Sequence, residues 1–255
     1  CSCCYMMTRV KTQNELAAQR ESGKMNAAIL EYVGKEIQAG ITTKELADKA
    51  ANELKKLGGL PTFLGYAGFP DVICISVNTE VVHGIPGAYI LQDGDVVSYD
   101  FGVTYNGMIT DAARTKIVGT SPKKQINTLV SGTQSALDAG IHTLRDGVRI
   151  GTIAAAIESE MSRHGFGIVR DLVGHGVGHQ LHEDPNIPNF STGHKGASLQ
   201  AGMTIAIEPM STLGSHAVYT AADGWTILTK DGSLAAHFED TVLITDTGSE
   251  ILTRL

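Results

Sequence analysis

One succession of elements is written twice along this chain: two helices, a buried strand and a hairpin. In the first pass, Met25, Ile29, Val33 and Ile37 form an apolar stripe at helical spacing that Gly40 ends. Thr42, with Glu45 three residues on, predicts a capping box, and Leu46, Ala50, Leu54 and Leu57 carry a second helix to Gly58-Gly59. Residues 72–77 (VICISV) read as a buried strand. Residues 96–105 and 108–118 read as strands joined by Asn106-Gly107, a type I′ turn signal. In the second pass, Ser121-Pro122 predicts a helix start. Helices follow to about residue 145 and over 150–164, then strands near 168–173 and 203–208. A last hairpin, 225–229 with 234–244, is expected to turn at Asp231-Gly232. A chain so ordered is expected to form two related α+β halves whose strands share one sheet backed by helices. Hydrophobic residues make up 42% of the 255, enough to bury a sizeable core, and no linker separates the halves. Residues 1–9 read as an N-terminal extension and 10–255 as one domain.

Charge and cysteine usage narrow the functional classes. The net charge is −7, from 20 basic and 27 acidic residues without a basic run, which argues against a nucleic-acid surface. No apolar stretch approaches the roughly 20 residues that span a bilayer, and no leader pattern opens the chain. Cys1, Cys3 and Cys4 crowd the first positions and only Cys74 lies in the body. That is no disulfide framework, and a reducing cytoplasm is expected. The Cys-x-Cys-Cys run lacks the second ligand pair of a soft-metal site, and Met7-Thr8 reads as a chain start.

The chemistry concentrates in carboxylates and histidines. If Asn106 and Gly107 are the turn, Tyr105 pairs with Met108 and Gly102 with Asp111. Asp100 then shares a sheet face with Asp111, roughly 7–8 Å away at the backbone. Two such carboxylates among apolar flanks repel, and a divalent cation relieves them; the alternative is a pair of solvent-facing strand aspartates. Three glycines within Gly174-His175-Gly176-Val177-Gly178 argue against a helix, so His175, His179 and His182 are presented by a loop or irregular strand. Glu208 ends the apolar run Met203–Ile207, and Glu239 interrupts another between Phe238 and Thr241. Each alone suits an edge-strand surface group; together they suit a metal centre. Oxygen-rich ligation with one imidazole favours Mn, Fe or Co over structural zinc.

These local words resemble the type I methionine aminopeptidases. The matching stretches are CISVN and EVVHGIP within 74–86, DGDVVSYDFG at 93–102, TDAARTKIVG at 110–119, GHGVG at 174–178, LHEDPNIPNF at 181–190, GMTIAIEP at 202–209 and HFEDTVLIT at 237–245. The likeness runs from about Val10 to the C-terminus. It implies the pita-bread fold, an α+β architecture of two pseudo-symmetric halves forming a curved, mostly antiparallel sheet covered by helices. It also implies a metallopeptidase that removes the N-terminal methionine of nascent polypeptides whose second residue is small.

By the same resemblance, two divalent ions (Co, Mn, Fe or Zn) share a bridging water. Asp100 binds one ion, Asp111 and Glu239 bridge both, and His175 and Glu208 complete the second. Glu208 is the general base; His83 and His182 flank the substrate. Phe63, Tyr66, Phe69, Cys74, Leu181 and Trp225 match the pocket for the methionine side chain. Phe63 and Leu181 depart from the family's usual residues there, and His237 stands where Gln is common. The interval from His182 to Glu208 has no room for the type II insertion. The expected partners are N-termini of nascent chains, at the ribosome, met by a cytoplasmic monomer with no membrane or nucleic-acid surface. Two other readings stand beside this one. An Xaa-Pro aminopeptidase usually carries a long N-terminal domain, whereas few residues here precede the first helix. A non-catalytic protein of the same fold is expected to lose ligands, and all are present.

Overall fold

The computed structural model describes residues 7–120 and 123–255. The Cys-x-Cys-Cys run and the Ser121-Pro122 helix start lie outside them. Four helices back the strands: α1 (Gln13–Glu36), α2 (Thr43–Leu57), α3 (Lys124–Ile141) and α4 (Ile150–Arg163). Thr42 and Glu45 form the expected capping box, and Gly58 ends α2 at φ 81°, a conformation glycine adopts without steric cost. Helix α1 begins well before the Met25 stripe, at a second capping box between Thr12 and Glu15. Its first half carries no apolar stripe because polar residues face the sheet. There Ser22 donates to the Val103 carbonyl at 2.8 Å, Asn26 to Phe101 at 2.6 Å and Gln19 to Ile109 at 2.9 Å.

The first half supplies β1 (Leu60–Pro61), β2 (Ile73–Val77), β3 (Glu80–Val82), β4 (Val96–Tyr105) and β5 (Met108–Ile117). Strands β4 and β5 make the expected hairpin, with Tyr105 opposite Met108 and Gly102 opposite Asp111. Asn106 and Gly107 sit at φ 48° and 78°, the left-handed pair a type I′ turn requires. The second half supplies β6 (Gly167–Ile168), β7 (Gly174–Gly176), β8 (Glu183–Ile187), β9 (Thr204–Ile207), β10 (Met210–Thr212), β11 (Val218–Thr220), β12 (Ile227–Thr229), β13 (Ala235–His237), β14 (Asp240–Ile244) and β15 (Ser249–Ile251). The named ladders are antiparallel, with the longest order β15-β14-β9-β7-β8. Each half has its own core. One gathers Ile29, Val33, Leu46 and Leu54 under Ile73, Val97 and Phe101; the other gathers Leu137, Ile153 and Ile157 under Ile205 and Ile207.

The last hairpin departs from expectation. Strand β12 pairs with β11 on one edge and β3 on the other, so neither edge is open to the chain returning from Gly232. The Asp231 carboxylate accepts from the backbone of Ser215 at 2.6 Å and Ser233 at 3.0 Å, turning the chain away. Strand β13 then pairs with β10, the strand is interrupted at Phe238-Glu239, and β14 joins β9. The strand expected over 168–173 shortens to β6. Met7 to Arg9, on the extension side of the boundary drawn from sequence, pack on the body. Thr8 is buried and its N–H donates to Asp184 at 2.6 Å.

The halves meet along β5. Ala113 and Glu239 exchange backbone hydrogen bonds at 3.0 and 3.2 Å. The Thr241 hydroxyl accepts from the Asp111 N–H at 2.9 Å and donates to its carbonyl at 2.8 Å. The Thr115 hydroxyl does the same with His237. Buried hydroxyls thus complete a seam that the strand ladders leave open.

Candidate active site

The seam sets two carboxylates side by side. Glu239 lies opposite Ala113, two residues from Asp111, and Arg114 donates to the Glu239 carbonyl at 2.6 Å, fixing its backbone. Asp100 lies diagonally from Asp111 across β4 and β5, and opposite Cys74 on β2, as the pleat requires. Between them a side chain at Gly102 is impossible: an added Cβ would lie 2.7 Å from the Phe63 ring. The missing side chain is what admits that ring to the site.

From the second half, β7 carries His175 opposite Ala206. Glu208 follows the end of β9, its carbonyl accepting from Asn189 at 3.0 Å. The His175 Nδ1 lies 2.9 Å from the Gly176 carbonyl and donates to it, leaving Nε2 as the acceptor. That Nε2 is 3.5 Å from Glu208 Oε1. The loop between β7 and β8 presents His182 and Leu181. It is held by Glu183, whose Oε1 accepts from the backbone of His179 at 2.7 Å and Gln180 at 3.1 Å. Its other oxygen meets Lys11 at 3.3 Å, a fully buried pair. Burial opposes charge on Glu183, but Lys11, Thr8 and the two N–H groups outweigh it and hold the carboxyl below its usual range.

One cavity of about 100 Å³ gathers the expected ligands and pocket residues: Asp100, Asp111, His175, Glu208 and Glu239 with His83 and His182, and Phe63, Tyr66, Phe69, Cys74, Leu181 and Trp225; His179 and His237 are not among its lining residues. Trp225 meets Phe69 edge-on at 5.2 Å between ring centroids. The Tyr66 hydroxyl lies 2.7 Å from His182 Nδ1, and the His182 ring is 4.4 Å from that of His175. His83 holds φ 59°, a left-handed backbone uncommon outside glycine.

The electrostatics ask for cations. Among the described residues, no lysine or arginine lines the cavity. Burial first, then Asp111 and Glu208, push Asp100 well above the carboxylate range. Burial brings Asp111 up to about 7, and burial with Asp111 raises Glu208 and Glu239. Burial lowers His83, brings His175 down to about 4 and His182 to about 3, so the imidazoles are neutral and ready to ligate or donate. Asp100 Oδ1, Asp111 Oδ1 and Glu239 Oε1 are buried without a hydrogen-bond partner. Buried oxygens are rarely left so, and a divalent ion supplies what they lack. Asp111, His175 and Glu239 offer ligand atoms within 4.8 Å of one another, and so do Glu208, His237 and Glu239.

The sequence profile of metallopeptidase family M24 matches residues 17–246. This chain belongs to that family. Methionine aminopeptidase 1 of Bacillus subtilis is 46% identical over 245 residues, covering 96% of this chain and 98% of the relative. A methionine aminopeptidase of Clostridium perfringens is 44% identical over 247 residues, covering 97% and 99%. The crystal structure of a methionine aminopeptidase from Thermotoga maritima superposes with a TM-score of 0.95 at 43% identity, over 98% of this chain and 100% of that one. The pita-bread architecture expected from sequence is therefore present. An X-Pro aminopeptidase from the same organism shares the fold at a TM-score of 0.75 and 21% identity, this chain covering 62% of it. As an M24 member the chain is a metallopeptidase, and the carboxylate and imidazole wall is where divalent metal fits.

Two features escaped the sequence. The sequence places Tyr66 only in the pocket wall, yet its hydroxyl reaches His182. Lys11 and Glu183 lie too far apart in the chain for any local pattern to join them. His237, which the resemblance marks as a departure, lies 3.8 Å from both Glu208 and Glu239.

Proposed function

We propose that this chain removes N-terminal methionine from nascent polypeptides with a small second residue. The observation that carries the reading is the shared cavity: a carboxylate and imidazole wall facing a small apolar pocket. Enclosed sites for drug-sized ligands run to about 300–1,000 Å³, so this one suits a single side chain beside its ions. An unbranched thioether packs well against Phe69, Trp225 and the Cys74 sulfur. Asp100, Asp111, His175, Glu208 and Glu239 would hold the divalent metal between them. Mn, Fe, Co and Zn are all compatible with that set.

When bound, the ions lower the pKa of a water and polarise the scissile carbonyl. Glu208 accepts the proton from the attacking water and returns one to the leaving amine. Tyr66 donates to His182 Nδ1, which places the His182 proton on Nε2. From there it donates to the carbonyl oxygen as charge develops. His83 contacts the scissile nitrogen. The substrate's free amino group completes the charge balance among the carboxylates, which restricts cutting to chain starts. The reading extends to a cytoplasmic monomer acting on chains as they leave the ribosome. No helix among the described residues is long and apolar enough to cross a membrane.

The test is hydrolysis of Met-Ala-Ser beside an Xaa-Pro peptide, with each metal. Methionine release that Glu208→Gln lowers by orders of magnitude, and that chelation abolishes, is expected. Equal turnover by the variant, or preference for the Xaa-Pro peptide, would overturn the reading.

A further inference from the structure

His237 sits on the seam, at the end of β13, two residues before Glu239. It is 2% exposed, and its Nε2 is buried without a hydrogen-bond partner. The nitrogen faces two carboxylates, at 3.8 Å from Glu208 Oε2 and 3.8 Å from Glu239 Oε2. That spacing is too long for a hydrogen bond, which needs about 3.2 Å or less. It is right for a shared ion. Ligand atoms about 2.1 Å from one metal lie at most about 4.2 Å apart, and 3.8 Å falls inside that limit. Glu208 is turned so that Oε1 addresses His175 and Oε2 addresses His237.

We propose that His237 is a metal ligand, joining Glu208 and Glu239 around one ion through Nε2. The inference rests on the metal-centre reading above and goes beyond its five ligands. With His175 on the other oxygen of the Glu208 carboxylate, the centre as a whole gains a second imidazole. Imidazole suits zinc, iron, nickel and cobalt, whereas manganese prefers oxygen donors. The site is therefore biased toward the former group.

The test uses the full chain, stripped of metal and titrated anaerobically with cobalt(II). In the proton NMR spectrum of the loaded protein, each ligating histidine gives one strongly shifted, solvent-exchangeable imidazole N–H signal. Two are expected from the parent, and one from His237→Gln, whose amide is a poor ligand. The same substitution should alter the visible d–d bands and weaken one cobalt site tenfold or more, with a smaller change for manganese. A single imidazole signal in the parent, or cobalt bands and affinities that superimpose between parent and variant, would overturn the ligand role while leaving the proposed function intact. A parent that binds no cobalt would instead remove the metal-centre reading itself. The signal count is made on the parent, so it decides the matter even if His237→Gln fails to fold.

Discussion

At the scale of single residues, the proposed chemistry depends on where protons sit. Tyr66 against His182 Nδ1 is the clearest case. Tyr66→Phe keeps the ring and its packing but frees Nδ1 to take the proton. We expect methionine release to slow by up to about tenfold, the worth of one such hydrogen bond, with little change in thermal stability. His182→Ala should be more severe, lowering kcat/KM by about 10²–10³ as loss of an oxyanion donor does elsewhere. Steady-state kinetics on Met-Ala-Ser ranks the two, and a milder effect for His182→Ala would contradict the assigned role. Much of this scale was legible in the sequence. The register fixed by Asn106-Gly107 placed Asp100 and Asp111 on one face before any coordinates. The glycines around His175 pointed to a loop or irregular strand rather than a helix. What pattern alone did not yield were contacts between side chains far apart in the chain, such as Tyr66 with His182, because no periodicity links them.

At the scale of elements, the buried ion pair of Lys11 and Glu183 joins the segment before α1 to the start of β8. Removing only the cation strands a buried carboxylate, and Lys11→Met should cost about 3–5 kcal/mol. The double change Lys11→Met with Glu183→Gln should recover part of that, since neither charge remains. Urea denaturation of the set measures it; additive losses would show that the pair does not interact. The start of α1 and the path after β12 explain where sequence reading fell short among the elements. Helix α1 faces the sheet with Gln19, Ser22 and Asn26, so hydrophobic periodicity is silent there. The Asp231-Gly232 turn is real as a local signal, but which strands it joins is decided by edges already occupied by β11 and β3.

At the scale of the molecule, stability and metal are linked through protons. Asp111 goes from 3.8 when unfolded to about 7 in the fold. Its raised value favours the protonated, folded chain at low pH, and that contribution is lost as pH rises from about 4 through 7. The buried histidines act in the opposite sense: His175, lowered to about 4, contributes stability that is full above 6.5 and fades as pH falls toward 4. Bound metal replaces the carboxylate protons, so its stabilising effect must grow with pH. The rise in Tm on adding manganese should be larger at pH 7.5 than at pH 5.5. An equal rise at both values would mean that the ions do not displace protons from these carboxylates.

The seam carries a last consequence. Asp100 and Asp111 come from one half of the chain, and His175, Glu208 and Glu239 from the other, with a single crossing of the backbone between β5 and α3. Cut there and expressed as two separate polypeptides, the halves would each be inert, and their reunion would be read out as recovered peptidase. The peptidase is in this sense two interdependent polypeptides that happen to be encoded as one chain.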